Sequence, residues 1–410
     1  MPGDTARHPM DDPTMNTLTC RFEALDTWFF REARPHGSVG ASELGSSFPP
    51  PVRTLLGALR TLIGDAWLAR HGGDWRSFAS DSAHPLRALI GFGDDLGPLR
   101  ASGPFLNLNG QRLYPAPANL MVKEQGGQKH YFLLDLGAPV HCDIGRVHLP
   151  CFPAQVAGLS ELAGSKPAEQ CWLTAAGLQA VLDGGAPQPG DVIAARDLYA
   201  PEPRLGIGRD NQRQSVQEGL LYQTRHLRLR PGVAVELLLG GVADAGLLPT
   251  QTTLRLGGEG RMAGLTIEND SCQRLPGLGF KAKTPVFALY ALTPAPCAPG
   301  LPAGIPAGCV PSQYHGALTW EGQLAGQRLR VLAVANARPL REGGWDMASH
   351  QARAVQSLLP AGSVLYVQSV GGQDIDVPAL HALASATGQG LYVPGQLPAN
   401  TTFNPSTLQG

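Results

Sequence analysis

"VRTLLGALRTLIGDAWLAR", residues 52–70, is the stretch on which the fold turns. Val52, Leu55, Leu56, Leu59, Leu62, Ile63, Ala66 and Trp67 recur at i, i+3, i+4 and i+7, which gives an α-helix one apolar face. Pro49 to Pro51 stand just before it, where proline is tolerated because the first helical N–H groups have no partner anyway. Gly57 and Gly64 lie seven apart on one face and allow a neighbour to approach closely, as tight packing on a sheet would require. Upstream, "TLTCRFEALDTWFF" (17–30) has strand composition. Downstream, "FLNLNGQRLYPAPANLMVK" (105–123) sets Asn109-Gly110 between alternating segments, a strong hairpin signal. Strand, helix, hairpin is the opening of a ferredoxin-like βαββαβ unit.

Outward from that core, residues 1–16 are polar and read as a mobile N-terminal tail. Residues 151–200 are rich in Pro and Gly, with one helix-like stretch, "TAAGLQAVL". From Pro201 onward the chain is mostly strand-like, as in "TPVFALYALTP", "LRVLAVANARPL" and "SVLYVQSV". The expected fold class is α+β. It comprises an N-terminal domain over 17–200 and a C-terminal domain over 201–410, each a sheet with helices on one face.

At 410 residues with 43% hydrophobic and 16% charged side chains, the chain is too apolar to be disordered. Its 32 basic and 33 acidic residues provide no global field for nucleic acid, so any such binding must come from local patches. The cysteines at 20, 142, 151, 171, 272, 297 and 309 form no CxxC pair, which argues against a disulfide framework and a zinc ribbon. No apolar signal region opens the chain and no long apolar run follows. The expectation is a soluble, cytoplasmic protein with reduced thiols and no membrane span.

One local patch stands out. "RLGIGRDNQRQSVQEGLLYQTRHLRLRPG", residues 204–232, holds six arginines against two acids. Along its strand, Leu227 and Leu229 face one side and His226, Arg228 and Arg230 the other. Pro231-Gly232 suits a type II turn, from which the chain is expected to return as "VAVELLLGG". Arginine forks suit phosphates, and Tyr222 and His226 supply rings on which bases could stack. A solvated sheet face is the plain alternative.

"GGEGRMAG" (257–264) superficially fits a dinucleotide fingerprint, yet a strand pattern follows it, so a pyrophosphate would lack its helix N-terminus. A glycine turn whose backbone N–H groups approach phosphates, flanked by Arg255 and Arg261, competes with a simple tight turn. Asp94 and Asp95 in "GFGDDLG" read as a solvated turn, and "HCDIGRVHLPC" matches no zinc spacing. No nucleophile elbow or triad order is present. No catalytic residue, metal or cofactor is expected.

"WFFREARPHG", "FPPPVRTLLGALRTLIG", "RLGIGRDNQRQSVQEGLLY", "GGEGRMAG", "GWDM" and "LPAGSVLYV" occur in this order between about residues 28 and 367. Together they resemble the landmarks of one RAMP family, the third subunit of the Cmr complex, which is the type III-B CRISPR effector. The resemblance implies two ferredoxin-like domains with a glycine-rich loop and long insertions. It also implies a non-catalytic subunit that grips the single-stranded 5′ handle of the CRISPR RNA and docks the large polymerase-like subunit and the backbone RAMP. Arg31 and Arg34 sit on its first landmark, and Arg204, Arg209, Arg213 and Tyr222 on its third. Gly257, Gly258, Gly260 and Arg261 match the glycine loop. Arg225, Arg228 and Arg255 complete the candidate RNA-binding set by their place in the basic strand and beside the loop.

The chain departs from the family at Glu32-Ala33 and His36, where an Asp and a Phe are usual, and residues 390–410 match its closing strand only loosely. Three alternatives remain open. One is a RAMP endoribonuclease processing CRISPR RNA with His36 or His226 as general base. Another is a scaffold whose basic strand meets an acidic protein, and the last is the handle-binding subunit of another type III subtype.

Overall fold

The computed structural model describes residues 17–33, 43–210, 212, 215–269, 276–277, 279–324, 326–346, 351–371, 375–381 and 384–398. Side chains at 208–210 and 216–221 lie outside that description. The first elements are strand β1 (Leu18–Ala24), helix α1 (Val52–His71) and the hairpin of β2 (Arg100–Leu108) and β3 (Gln111–Pro115). Asn109 and Gly110 take positive φ, 52° and 86°, as the two-residue turn requires. Next come β4 (Tyr199–Asp210), β5 (Ser215–Leu229), β6 (Val233–Gly240), β7 (Gln251–Arg255) and β8 (Met262–Asn269). The last part holds β9 (Val286–Ala291), β10 (Gln327–Ala335), β11 (Val364–Ser369), helix α2 (Val377–His381) and β12 (Tyr392–Gly395).

Two large sheets result. In the first, the central order is β8-β1-β6-β2, with β7 outside β8 and β3 outside β2. Strand β6 runs antiparallel to both neighbours, Leu237 opposite Cys20 and Val235 opposite Leu106. Strands β1 and β2 therefore run parallel with β6 between them, and α1 makes the crossover. In the second sheet the order is β12-β9-β11-β10, extended past β10 by Ala317–Leu324.

Alternation along the strands builds the layers. Leu55, Leu59 and Ile63 of α1 pack on Cys20, Phe22, Val235 and Leu237. The opposite face of the first sheet supplies Phe105 and Leu238, which meet Ala288, Tyr290, Val364 and Tyr366 of the second. Phe287, Leu289, Val331 and Leu365 point away from that layer and pack with Leu380 of α2. Each fully buried side chain of this size contributes about 1.5–3 kcal/mol. The close packing on a sheet expected at Gly57 and Gly64 is not what they serve: a Cβ at Gly64 would come within 2.3 Å of the Trp75 ring on the next helix, Trp75–Ser80, and Gly57 is exposed with open space around it.

Two expectations from sequence meet a different arrangement. A boundary at 200/201 cuts through the first sheet, because β1 to β3 precede it and β6 to β8 follow it in the same hydrogen-bonded array. Nor does the strand ending at Leu229 fold back on β6 through Pro231-Gly232. It pairs with β4, while β6 enters the first sheet. The physical reason is burial. Every residue of β6 is buried, so it needs a central place covered on both faces, whereas β5 alternates with exposed arginines and stays in a hairpin.

Candidate nucleic-acid interface

The long β4–β5 hairpin, the glycine loop and the Trp28-Phe29-Phe30 segment meet at one place. Trp28 and Leu227 exchange backbone hydrogen bonds at 2.9 and 2.8 Å, and the Trp28 Nε1–H donates to the Met262 carbonyl at 3.2 Å. From the other side, the Gly258 N–H donates to the Phe29 carbonyl at 2.7 Å. This close approach explains Gly257. It has φ of 84°, and a Cβ there would lie 2.6 Å from the Phe29 oxygen. Gly260 also has positive φ, 64°, but open space around it. The loop connects β7 to β8, so a strand follows it, as the sequence pattern indicates.

His226 lies at the centre of this junction, fully buried. Phe29 stacks on its ring at 5.2 Å with planes 12° apart. Its Nε2 meets Glu259 at 2.8 Å and its Nδ1 meets the Thr27 hydroxyl at 3.0 Å. A carboxylate only accepts, so Nε2 carries the proton and the Thr27 hydroxyl donates to Nδ1. Burial holds the imidazole below its usual pKa, with Glu259 pulling the other way. The ring expected on the outer basic face is thus an internal one, because Glu259 and Phe29 cover it.

Around this junction the arginines are paired. Arg204 reaches Asp26 at 3.1 Å and Glu202 at 2.7 Å; Arg228 reaches the same two acids at 3.0 and 2.5 Å. Arg261 lies 3.4 Å from Asp26 and 3.9 Å from Glu259. The Arg204 and Arg228 guanidinium groups hold the Asp26 carboxyl below the usual range, and Arg228 and Arg204 do the same for Glu202. Three arginines and three carboxylates therefore share one surface. Arg225 pairs with Glu43 on the strand that joins β5 in parallel. Tyr222 lies flat over its cross-strand partner Gly206, where a Cβ would come within 2.3 Å of the ring.

The remaining candidates are more scattered. Arg31 is exposed beside the bridge it makes with Ser46, and Arg255 is exposed at the end of β7. Arg209 occupies β4 past a register shift that follows Ile207, with its side chain outside the description. Arg34, Arg213 and His36 lie outside the described residues. Asp94, read from sequence as a solvated turn, instead bridges Arg53 of α1, at 2.8 Å, and Arg353. Among the described residues no group of three or more His, Cys, Asp or Glu side chains is placed to hold a metal ion. No helix among them is long and apolar enough to cross a membrane.

Sequence reasoning singled out the arginines and missed their acids. The signal was present, since Glu202 and Glu259 each stand two residues before an arginine, at Arg204 and Arg261. Asp26 carries no such local mark.

The family described as CRISPR-associated protein (Cas_Cmr3) matches this chain over residues 20–396. The chain is thus a CRISPR-associated protein. Within that class it belongs to the Cmr3 family. No curated protein matches it. Among solved structures, it is similar to a chain of the type III-B Cmr-beta complex bound to cognate target RNA and AMPPnP. That match has 15% identity and a TM-score of 0.42, covering 85% of this chain and 86% of that one. It is also similar to a chain of the Csm3-Csm4 subcomplex of the type III-A interference complex, at 9% identity and a TM-score of 0.35, covering 88% and 98%.

Proposed function

We propose that this protein is the non-catalytic, RNA-binding subunit of a cytoplasmic type III-B CRISPR effector. In this reading it grips the single-stranded 5′ handle of the CRISPR RNA and docks the large polymerase-like subunit and the backbone RAMP. The observation that carries the reading is membership of the Cmr3 family over nearly the whole chain, joined to the meeting of basic hairpin and glycine loop at Trp28-Phe29. Arginine forks suit phosphates, and affinity in such an assembly is shared among subunits along one RNA, so a net charge of −1 is no obstacle.

The strand order supports a pair of ferredoxin-like units. Numbered along the chain, the four central strands lie fourth-first-third-second in both sheets, as β8-β1-β6-β2 and β12-β9-β11-β10. Residues 109–232 and 292–326 are then the long insertions. A non-catalytic role is supported by His226. A general base must reach the RNA 2′-OH, and this ring is buried with both nitrogens engaged.

A second reading, a self-neutralised and solvated sheet face, is favoured by the pairing of Arg204, Arg228 and Arg261 with the chain's own carboxylates. Incubating the purified protein with a labelled CRISPR repeat RNA tests these readings. Retention without cleavage is expected. Cleavage within the repeat contradicts the non-catalytic assignment, and absence of retention contradicts RNA binding.

A further inference from the structure

Glu259 stands where the glycine loop turns, and its backbone takes φ of 54°, a left-handed conformation that glycine adopts freely and glutamate does not. Held there, its carboxylate serves two partners at once. It accepts from His226 Nε2 at 2.8 Å and lies 3.9 Å from the Arg261 guanidinium. A strained backbone at a residue whose side chain bridges two others marks a placement that the surrounding fold imposes.

Among the described residues, the charged groups around the ring come from each element packed on it. The loop supplies Glu259 and Arg261, and β4 supplies Arg204 and Glu202, the cross-strand partner of His226. Arg228 follows on β5, and Asp26 lies on the segment after β1, which also brings the Thr27 hydroxyl and the stacked Phe29 ring. The three arginines and three carboxylates sum to zero, which suits a neutral imidazole. Burial is the main cause that holds its pKa down; Glu259 opposes it, and Arg204 and Arg261 add to it.

The three arginines are not held equally. Arg204 and Arg228 reach carboxylates at 2.5–3.1 Å, whereas the contacts of Arg261 are 3.4 and 3.9 Å. Arg261 is thus the guanidinium that a phosphate can take with least loss of existing pairing. That phosphate brings negative charge into a balanced set, and it cancels one of the cations that repel a proton from the ring.

We propose that His226 is a proton-linked positioning residue. When Arg261 turns from Glu259 to an RNA phosphate, Glu259 stays with His226 and the imidazole takes up one proton from solvent. The proton arrives at Nδ1, because Nε2 already carries one. The Thr27 hydroxyl, a donor to the neutral ring, then accepts from Nδ1–H, while Nε2–H still donates to Glu259. The loop keeps its attachment to the hairpin and Arg261 is released to the ligand. The inference rests on the RNA-binding reading above and adds its dependence on pH.

The sign follows from linkage. With the Arg261 charge cancelled, the imidazole binds its proton more tightly in the complex than in the free protein. Affinity therefore rises as the pH falls through the bound value and levels off below the free one, which lies under the usual ~6.5. Asp26 and Glu202 are held below the usual carboxylate range by their arginines, so they stay ionised across that window.

The test uses the full chain and the labelled CRISPR repeat RNA, with anisotropy titrations at fixed salt from about pH 8 to about pH 5.5. Wild-type affinity is expected to rise over this range, by up to about tenfold per pH unit for one linked proton. Calorimetry in two buffers of different ionisation enthalpy should show proton uptake by the wild type. His226→Gln, whose amide can still meet Glu259 and Thr27, should lose the pH slope and the uptake. Arg261→Ala should lose the coupling as well, and flatten the log–log salt dependence by about 0.7. Equal pH slopes in the wild type and His226→Gln overturn the inference, as does wild-type binding without proton uptake; both leave RNA binding standing. If His226→Gln does not fold, the proton count on the wild type decides alone. No retention of RNA by the wild type at any pH overturns the RNA-binding reading and the inference together.

Discussion

Glu259, at the tip of the glycine loop, accepts a hydrogen bond at 2.8 Å from the buried ring of His226 on the basic hairpin. The two residues are 33 positions apart, and this contact ties the loop to the hairpin. Because burial depresses the imidazole pKa in the fold, the unfolded chain binds its proton first as the pH falls. The stability contribution is complete above the unfolded value of about 6.5 and is lost as the pH falls from there through the folded value. The thermal midpoint of the wild type should therefore drop between about pH 7.5 and pH 5 more than that of His226→Gln. Parallel curves for the two proteins would contradict the assignment.

Gly257 and Gly260 separate strain from crowding. Both have positive φ, but only Gly257 faces a backbone oxygen at 2.6 Å from a built Cβ. Gly257→Ala should cost about 3 kcal/mol, strain and displacement together, and Gly260→Ala about 1 kcal/mol. Chemical denaturation of the two variants checks the order, and equal losses would refute it.

The paired acids of the hairpin face restrain its arginines. Asp26→Asn/Glu202→Gln should release Arg204 and Arg228, strengthen RNA binding and steepen its salt dependence by up to about 1.4 in log–log slope. Anisotropy titrations across a salt series measure this. An unchanged slope would mean that these arginines meet no phosphate.

Glu236 lies fully buried in the first sheet, accepting from Asn107 at 2.7 Å, Arg112 at 2.9 Å and Arg21 at 3.3 Å. Removing one partner from a buried charge network costs about 3–5 kcal/mol. Glu236→Gln should lose stability in that range by urea denaturation, while Asp94→Asn, on an exposed bridge, should lose less than about 1 kcal/mol.

What could be read from sequence was local. Helix α1 announced itself through Leu55, Leu59 and Ile63, and the β2–β3 hairpin through Asn109-Gly110, because each depends on neighbours a few residues away. The entry of β6 between β1 and β2 did not. Its partners Cys20 and Leu106 lie more than a hundred residues upstream, and only its mostly apolar run, broken by Glu236, hinted at a central place. The same limit applied to the site. The arginine run was visible, but Asp26 reaches Arg204 and Arg228 across the fold.

The central claim is that this Cmr3-family protein holds the end of a CRISPR RNA. The most direct measurement is to purify the tagged protein from its host and sequence the RNA that accompanies it. The account predicts short RNAs sharing one repeat-derived 5′ end, together with other Cmr subunits. Partners recovered without such RNA, or RNA of unrelated ends, would contradict it.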